Sequence, residues 1–227
     1  SVREVRSVLL RSAAQDEASF LEGQVLESLG RLEEAEQSFR RVSASRPTLR
    51  GAALLRIAGC FRKHRPASLP EAHAAVLEAE RQGVSGSRWM AREDTEREVE
   101  LLAQAWREAD DDAKAIETEE VLQRISREPV QHYLHAAEVH ERRAEKMLAQ
   151  AAETSDPREA AAARDSARAH DLAAGRIYRS PLAQDLPAPN AELLFRAARA
   201  FERACDLDQT VRALERFTDR YLDDPRF

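Results

Sequence analysis

The stretch from Phe20 to Pro47 constrains the fold more than any other part of this chain. It holds two apolar-periodic segments separated by Gly30. Small and apolar residues recur in both segments at intervals of three or four, as in an amphipathic α-helix. The residues that carry this spacing are Phe20, Gly23 and Leu26 in the first segment, and Ala35, Phe39 and Val42 in the second. We therefore predict two helices that cross closely where Gly23 and Ala35 are small.

One helical hairpin cannot bury its apolar face alone, so neighbouring hairpins must stack on it. The composition suits such a fold, because the chain is 43% hydrophobic and 33% charged, with only 7 Gly and 9 Pro in 227 residues. We predict an all-α protein, an α-solenoid of about five antiparallel helical hairpins, one of them elongated. Residues 2–14 are expected to form a separate short helix before the first hairpin.

Local signals place the later elements. Ser68 is a candidate N-cap with Glu71 three residues on, and Gly83 is a candidate C-cap. A third helix is expected to start near Ser87, with 112–125 as its partner. Asp156 followed by Pro157 predicts a helix restart inside the elongated hairpin.

These signals predict four segments. Residues 1–128 would hold hairpins one to three, and 129–180 the elongated hairpin. Residues 181–189 would form a Pro-rich linker within the extended stretch Ser180–Pro189, SPLAQDLPAP. Residues 190–227 would form a last hairpin, which we expect to continue into a further repeat beyond this chain.

The pattern of the first, second and last hairpins resembles the tetratricopeptide repeat, in which an aromatic, a small and a bulky residue mark helix A, and an Ala and a closing Pro mark helix B. The resemblance implies a right-handed superhelix whose A helices line a concave surface. The ending Tyr221–Pro225, YLDDP, is similar to the repeat close of bacterial cell-envelope members of the family.

The resemblance implies a non-catalytic protein–protein interaction scaffold within a bacterial multi-protein assembly. The family's groove-facing positions map onto Phe20, Gln24, Glu27, Leu55, Arg62, Lys63, Phe195, Arg199 and Arg203. Phe20 stands one place after the signature aromatic position, so we expect it to face the groove. The basic members favour an acidic peptide or a peptide C-terminus as partner.

Two other functions stay open at this point. The chain could be a structural spacer or oligomerisation arm of a larger cell-envelope machine, with the elongated hairpin as a coiled-coil-like seam. It could also be a regulatory module that senses a small ligand. The repeat style of the last hairpin slightly favours the bacterial periplasm or cell envelope over the cytoplasm.

No catalytic or cofactor motif is present, so we predict no enzyme activity, no catalytic residue and no cofactor. The stretches GxSxG, GxGxxG and the P-loop are absent. A net charge of −6 disfavours general nucleic-acid binding. No apolar run is long enough to span a membrane. Cys60 and Cys205 are each expected to be buried free thiols on helices.

Two clusters have metal-ligand chemistry. The densest combines His132, His135, Glu138 and His140, but helical geometry spreads the three histidines over different faces, and HExxH is absent. The acidic run around Asp111 is expected to cap the next helix rather than hold a metal or basic ligand. We predict no metal site. Glu119 stands where the repeat pattern requires a bulky apolar residue.

Overall fold

The computed structural model of this protein describes residues 2–64, 66–180 and 190–221. Within those residues the chain forms ten α-helices and no β-strand, so the all-α prediction is confirmed. The helices are α1 Val2–Ser28, α2 Leu32–Arg40, α3 Pro47–His64, α4 Leu69–Arg81, α5 Arg92–Glu108, α6 Asp112–Ile125, α7 Pro129–Glu153, α8 Pro157–Tyr178, α9 Asn190–Arg203 and α10 Leu207–Tyr221. The predicted linker 181–189 and the YLDDP ending beyond Tyr221 lie outside the described residues.

The helices form two compact units that divide between Asp110 and Asp111. Unit 1 contains α1 to α5, and unit 2 contains α6 to α10. Within each unit, helices pack against their neighbours in sequence, as in a helical repeat. The boundary expected between residues 128 and 129 stays a prediction.

The first hairpin confirms the close crossing and corrects the start of the chain. A Cβ atom at Gly23 would lie 2.5 Å from Cε1 of Phe39, so only glycine fits. Gly30 has a φ of 75°, which ends α1 and favours glycine. The prediction of a separate helix over 2–14 is wrong, because no Gly or Pro interrupts residues 12–20 and α1 runs on to Ser28.

Two expectations for the end of unit 1 are also wrong. Ser68 precedes α4, but its side chain makes no capping hydrogen bond, and Pro70 in the first turn removes one backbone donor that a cap would serve. Helix α5 begins at Arg92 rather than near Ser87, since Ser87 and Met90 pair in a turn. Gly83, with a φ of 65°, closes α4 as predicted.

The helix starts predicted in unit 2 are confirmed. Asp111 Oδ1 accepts a hydrogen bond from the Lys114 backbone N–H at 3.0 Å, which caps α6. Asp156 Oδ1 accepts one from the Arg158 N–H at 2.8 Å, and Pro157 opens α8. Helices α7 and α8 therefore form the elongated hairpin.

The core of unit 2 lies where α7, α8, α9 and α10 meet. Phe201 is fully buried, and its ring packs so closely on Gly175 that a Cβ there would lie 2.8 Å from Cδ1. Around it lie the buried side chains of Ala137, Ala174, Tyr178, Leu193, Ala197 and Ala213. Leu194 and Ala198 of α9 are also buried, whereas in α10 Ala213 is buried and Leu214 is 37% exposed.

The two cysteines differ. Cys60 is buried in α3, as predicted. Cys205 is exposed and lies in the turn between α9 and α10 with a φ of 59°, so the expectation of a buried helical thiol is wrong there. Among the described helices, none is both long enough and apolar enough to cross a membrane.

Candidate partner-binding cleft

A cleft of about 340 Å³ lies on unit 1 where α3 meets α5. It contains Arg62 and Lys63, two of the residues predicted to bind a partner. Its lining consists of the cations Arg56, Arg62, Lys63 and Arg97, the carboxylates Asp94 and Glu98, and the apolar side chains Met90 and Leu101. The cleft therefore presents a cluster of positive charge, with Leu101 partly exposed beside it and Met90 buried at 3% exposed.

Close approach of α3 and α5 at Gly59 positions one of these carboxylates. A Cβ atom at Gly59 would lie 2.9 Å from Glu98 Oε2, so the Glu98 side chain occupies the space that glycine leaves. Arg62 Nη2 donates to the same Glu98 oxygen at 3.0 Å. Both side chains are largely buried, at 18% and 14% exposed. This ion pair fixes the guanidinium of Arg62 at the cleft.

A second carboxylate, Glu27 of α1, lies against α3. It accepts a hydrogen bond from Lys63 Nζ at 2.7 Å and lies 3.6 Å from Arg56 Nη1. The Arg56 Nε is buried and has no hydrogen-bond partner among the described residues. Four cations thus face three carboxylates, Glu27, Asp94 and Glu98, which leaves the cluster with an excess of positive charge.

A second cavity of about 480 Å³ shares Arg62 and Leu101 with the first. Its other lining residues are Leu69, Gln104, Ala105, Glu108 and Ala109. Along α5, the two cavities follow one face from Asp94 to Glu108, which is about 21 Å at the helical rise. That length would accommodate about six residues of extended peptide.

The thiol near this cleft is not a nucleophile at neutral pH. Burial, with a smaller contribution from the Glu27 carboxylate, raises the pKa of Cys60 to about 12. The thiol therefore stays protonated, and thiols react as thiolates.

Two groove residues predicted on unit 1 lie in the core. Phe20 is 1% exposed, and its ring centroid lies 5.6 Å from that of Phe39 and 6.0 Å from that of Trp89. Leu55 is also 1% exposed. The expectation that both face a groove is wrong, because the apolar face of each helix turns toward its hairpin partner. Gln24 is half-buried, one turn from Glu27 on α1.

The three residues predicted on unit 2 lie in different surroundings from one another. Arg203 donates to Asp171 Oδ1 and to Glu141 Oε1, both at 2.8 Å, so it holds α9 to α8 and α7. Phe195 is half-buried and packs on Phe217 with centroids 6.2 Å apart. Arg199 is exposed.

Sequence reasoning found Arg62 and Lys63 but missed the other two cations and both carboxylates of the cleft lining. Arg56 and Arg97 complete its cationic cluster, and Asp94 and Glu98 bring acidic groups from α5. Asp94, Arg97, Glu98 and Leu101 recur at intervals of three or four, which is the one signal that places them on a single helix face. Nothing local indicates that this face lies beside α3.

Unit 2 brings together three side chains of types that bind metals, although the sequence predicted no metal site. His132 Nδ1 lies 3.2 Å from Glu119 Oε2, and His135 Nδ1 lies 3.9 Å from Glu119 Oε1. One ligand atom from each residue falls within 4.8 Å of the other two. Glu138 and His140 are not part of this group, and His140 Nδ1 lies instead 2.8 Å from His170 Nδ1.

No protein-family model matches this chain, and no curated protein sequence matches it either. The family resemblance therefore remains an interpretation of the residue pattern. Function has to be argued from the geometry of the two units.

Proposed function

We propose that this protein is a non-catalytic scaffold that holds an acidic segment or the C-terminus of another protein in the α3–α5 cleft of unit 1. The observation that carries the proposal is the cluster of Arg56, Arg62, Lys63 and Arg97 beside the partly exposed Leu101. A carboxylate entering the cleft would meet guanidinium groups already oriented by Glu27 and Glu98. Guanidinium groups bind carboxylates in a bidentate geometry, which favours this class of partner.

We further propose that unit 1 is a tetratricopeptide-like repeat whose A helices are α1, α3 and α5. Three features support this assignment: α1 lies beside α3, α3 lies beside α5, and the cleft cluster draws its charged side chains from these helices. In that repeat family the A helices line the concave binding surface, and stacked repeats form a solenoid. A bacterial multi-protein assembly is the setting that the repeat style favours.

Direct binding of short peptides tests the proposal. We would measure fluorescence anisotropy with peptides of about six residues rich in Asp and Glu, each made with a free and with an amidated C-terminus. Acidic peptides should bind more tightly than Lys-rich peptides of the same length. A preference for the free carboxylate would identify a C-terminal ligand, and no preference would identify acidic side chains.

A charge-reversed variant locates the binding to the cleft. The double substitution R62E and K63E should weaken acidic-peptide binding by about tenfold or more, because it replaces two of the four cleft cations with carboxylates and leaves Glu98 without the Arg62 guanidinium. The control is R31E with R41E, which changes the net charge equally at exposed positions outside the cleft. The proposal is abandoned if no acidic peptide binds or if both double variants weaken binding equally.

A second function, self-association through unit 2, has its own observation. Leu207, Val211 and Leu214 lie at helical spacing on one face of α10 and are 70%, 52% and 37% exposed. Such an apolar stripe suits an oligomerisation arm. Sedimentation equilibrium should show a concentration-dependent oligomer that V211E dissociates, and a monomer at every concentration would eliminate this function.

A further inference from the structure

Glu119, His132 and His135 bring three side chains that bind transition metals to one point of unit 2. We propose that they bind one divalent transition-metal ion, with Zn²⁺ the ion that this donor set suits best. Two imidazole nitrogens and one carboxylate oxygen form a ligand set found in zinc sites with an open position. This inference does not depend on the function of the α3–α5 cleft.

The hairpin of α6 and α7 explains why the three residues meet. The helices are joined by only three residues, 126–128, so positions equally distant from Arg127 face each other. Glu119 precedes Arg127 by eight residues and His135 follows it by eight. His132 lies one helical turn before His135, so both rings project toward the same stretch of α6.

The distances suit a single ion after a small adjustment. Ligand atoms about 2.1 Å from a tetrahedral Zn²⁺ are about 3.4 Å from each other. The Glu119–His132 separation of 3.2 Å is close to this value. His135 Nδ1 lies 3.9 Å from the other carboxylate oxygen, Glu119 Oε1, but the His135 side chain is 48% exposed and can rotate toward the oxygen that faces His132.

Burial adds an independent argument. Glu119 is 1% exposed and His132 is 5% exposed. Glu119 also stands where the repeat pattern requires an apolar residue. Without a metal, the His132 Nδ1–H can donate to the carboxylate, which only accepts hydrogen bonds. A metal ion in that place would bind the lone pair of His132 Nδ1, and the imidazole proton would then be carried on Nε2.

The exposed side of His135 defines what the site can do. Three protein ligands leave at least one position of a four-coordinate ion for water or for an outside donor. Because the His135 side chain is 48% exposed, a carboxylate or imidazole of another molecule could reach the ion and complete the coordination. The ion would also cross-link α6 to α7.

The test is metal titration of the untagged 227-residue protein by calorimetry, with ZnCl₂ added to metal-free protein. Wild-type protein should bind one equivalent and should melt at a higher temperature with the ion present. Co²⁺ should give the visible d–d absorption typical of a four-coordinate site.

Substitutions assign the ligands. H135A should weaken Zn²⁺ binding by about tenfold or more and reduce the Co²⁺ absorption, while the circular dichroism spectrum and the metal-free melting temperature stay unchanged. E119Q should do the same to binding. Should E119Q fail to fold, H135A decides alone, because its side chain is half exposed in the metal-free protein.

The other histidine pair of unit 2 provides the matched control. H170Q alters the His140–His170 contact and should leave Zn²⁺ binding unchanged. Three results would overturn the proposal: no binding by wild-type protein, binding that survives H135A, or binding that H170Q removes. The first would identify Glu119 and His132 as an ion pair only.

Discussion

Each unit contains, among others, a carboxylate shared by two cations, and the two clusters compared below have different surroundings. In unit 1, Glu27 is shared by Arg56 and Lys63 beside a cleft. In unit 2, Glu141 is shared by Arg196 and Arg203, both at 2.8 Å. Similar sets of charges can therefore either hold helices together or bind another molecule, depending on the groups around them.

The cluster in unit 2 is closed. Tyr178 also donates to Glu141 at 2.7 Å, Arg196 stacks on the Tyr178 ring, and Arg203 continues to Asp171. Burial opposes the charged form of Glu141, but hydrogen bonds from Arg203, Tyr178 and Arg196 hold its pKa below the usual value. Burial, aided by the Glu141 carboxylate, raises the pKa of Tyr178. These donors are committed to holding α7, α8 and α9 together.

The cluster in unit 1 is open by comparison. Arg56 Nε has no hydrogen-bond partner among the described residues, and Arg97 brings a further cation to the cleft. A cluster whose donors are all hydrogen-bonded stabilises a fold, whereas a cluster with a spare donor at a cleft can bind a charged group of another molecule. By this criterion the Glu141 cluster is a stabilising network and the Glu27 cluster is part of a candidate binding surface. The variants below test these two assignments.

The largest expected effect is on the closed cluster. R203A removes the partner of Asp171, which is 1% exposed and whose pKa burial already raises. We expect unit 2 to lose about 2–3 kcal/mol, below the range for a fully buried pair because Arg203 is partly exposed. Urea unfolding followed by far-UV circular dichroism measures the loss.

The control for R203A is R212A, whose pair with Asp208 lies on one exposed helix face and should contribute less than about 0.5 kcal/mol. Both tryptophans, Trp89 and Trp106, lie in unit 1, so tryptophan fluorescence reports that unit. A fluorescence transition that shifts as far as the dichroism would contradict an effect confined to unit 2.

The next effect concerns packing around the closed cluster. In G175A the new Cβ would lie 2.8 Å from two carbons of the Phe201 ring, which is fully buried and cannot move aside. Overpacking should exceed the gain in helix propensity and leave a net loss of about 1–2 kcal/mol. Chemical denaturation measures it, and a variant as stable as wild type would show that α8 and α9 pack less closely than described.

A smaller effect follows from the histidine pair of unit 2. Burial, with His170 and the Arg143 guanidinium, lowers the pKa of His140 to about 4. In the unfolded chain this imidazole is protonated as the pH falls below about 6.5, whereas in the folded chain it stays neutral until about pH 4. The contribution of His140 to the free energy of unfolding is therefore fully present above pH 6.5 and is lost as the pH drops toward 4. Screening at this partly exposed ring limits the expected loss to about 1 kcal/mol.

Comparison of wild type with H140Q checks this linkage. Between pH 7 and pH 5, above the range where most carboxylates titrate, the urea midpoint of the wild type should fall more steeply than that of H140Q. Equal slopes would show that other groups carry the pH dependence. His170, whose pKa burial and Arg143 also lower, contributes in the same direction.

The sequence was sufficient for features that depend on neighbouring residues. Gly30, Gly83 and the Asp156–Pro157 pair marked helix ends because capping and positive φ are local requirements. Phe20 was misplaced because one residue of register decides whether a side chain faces a hairpin partner or a groove. Glu119 looked like a defect of the repeat, and only the fold of α6 against α7 brings it to His132 and His135.

Only two of the four cations of the cleft were predicted, because the other residues come together through tertiary packing. Arg62 and Lys63 follow from the repeat register, while Glu98 is 36 residues further along the chain than Arg62. Which face of α5 meets α3 depends on tertiary packing. Gly59 indicates that another helix lies close to α3, but not which helix or which of its faces. Helix existence was therefore predictable, and the pairing of charged faces was not.

The smallest expected effect belongs to that glycine and is the sharpest contrast with G175A. In G59A the new Cβ would meet the terminal oxygen of Glu98, which a rotation of the side chain can relieve. The gain in helix propensity offsets the weakened Arg62–Glu98 pair, so stability should change by no more than about 0.5 kcal/mol. Tryptophan fluorescence in urea measures it, and the freed Arg62 should bind acidic peptides at least as tightly as before. A loss as large as that of G175A would mean that the α3–α5 contact is as tightly packed as the core of unit 2, and that the cleft is not open.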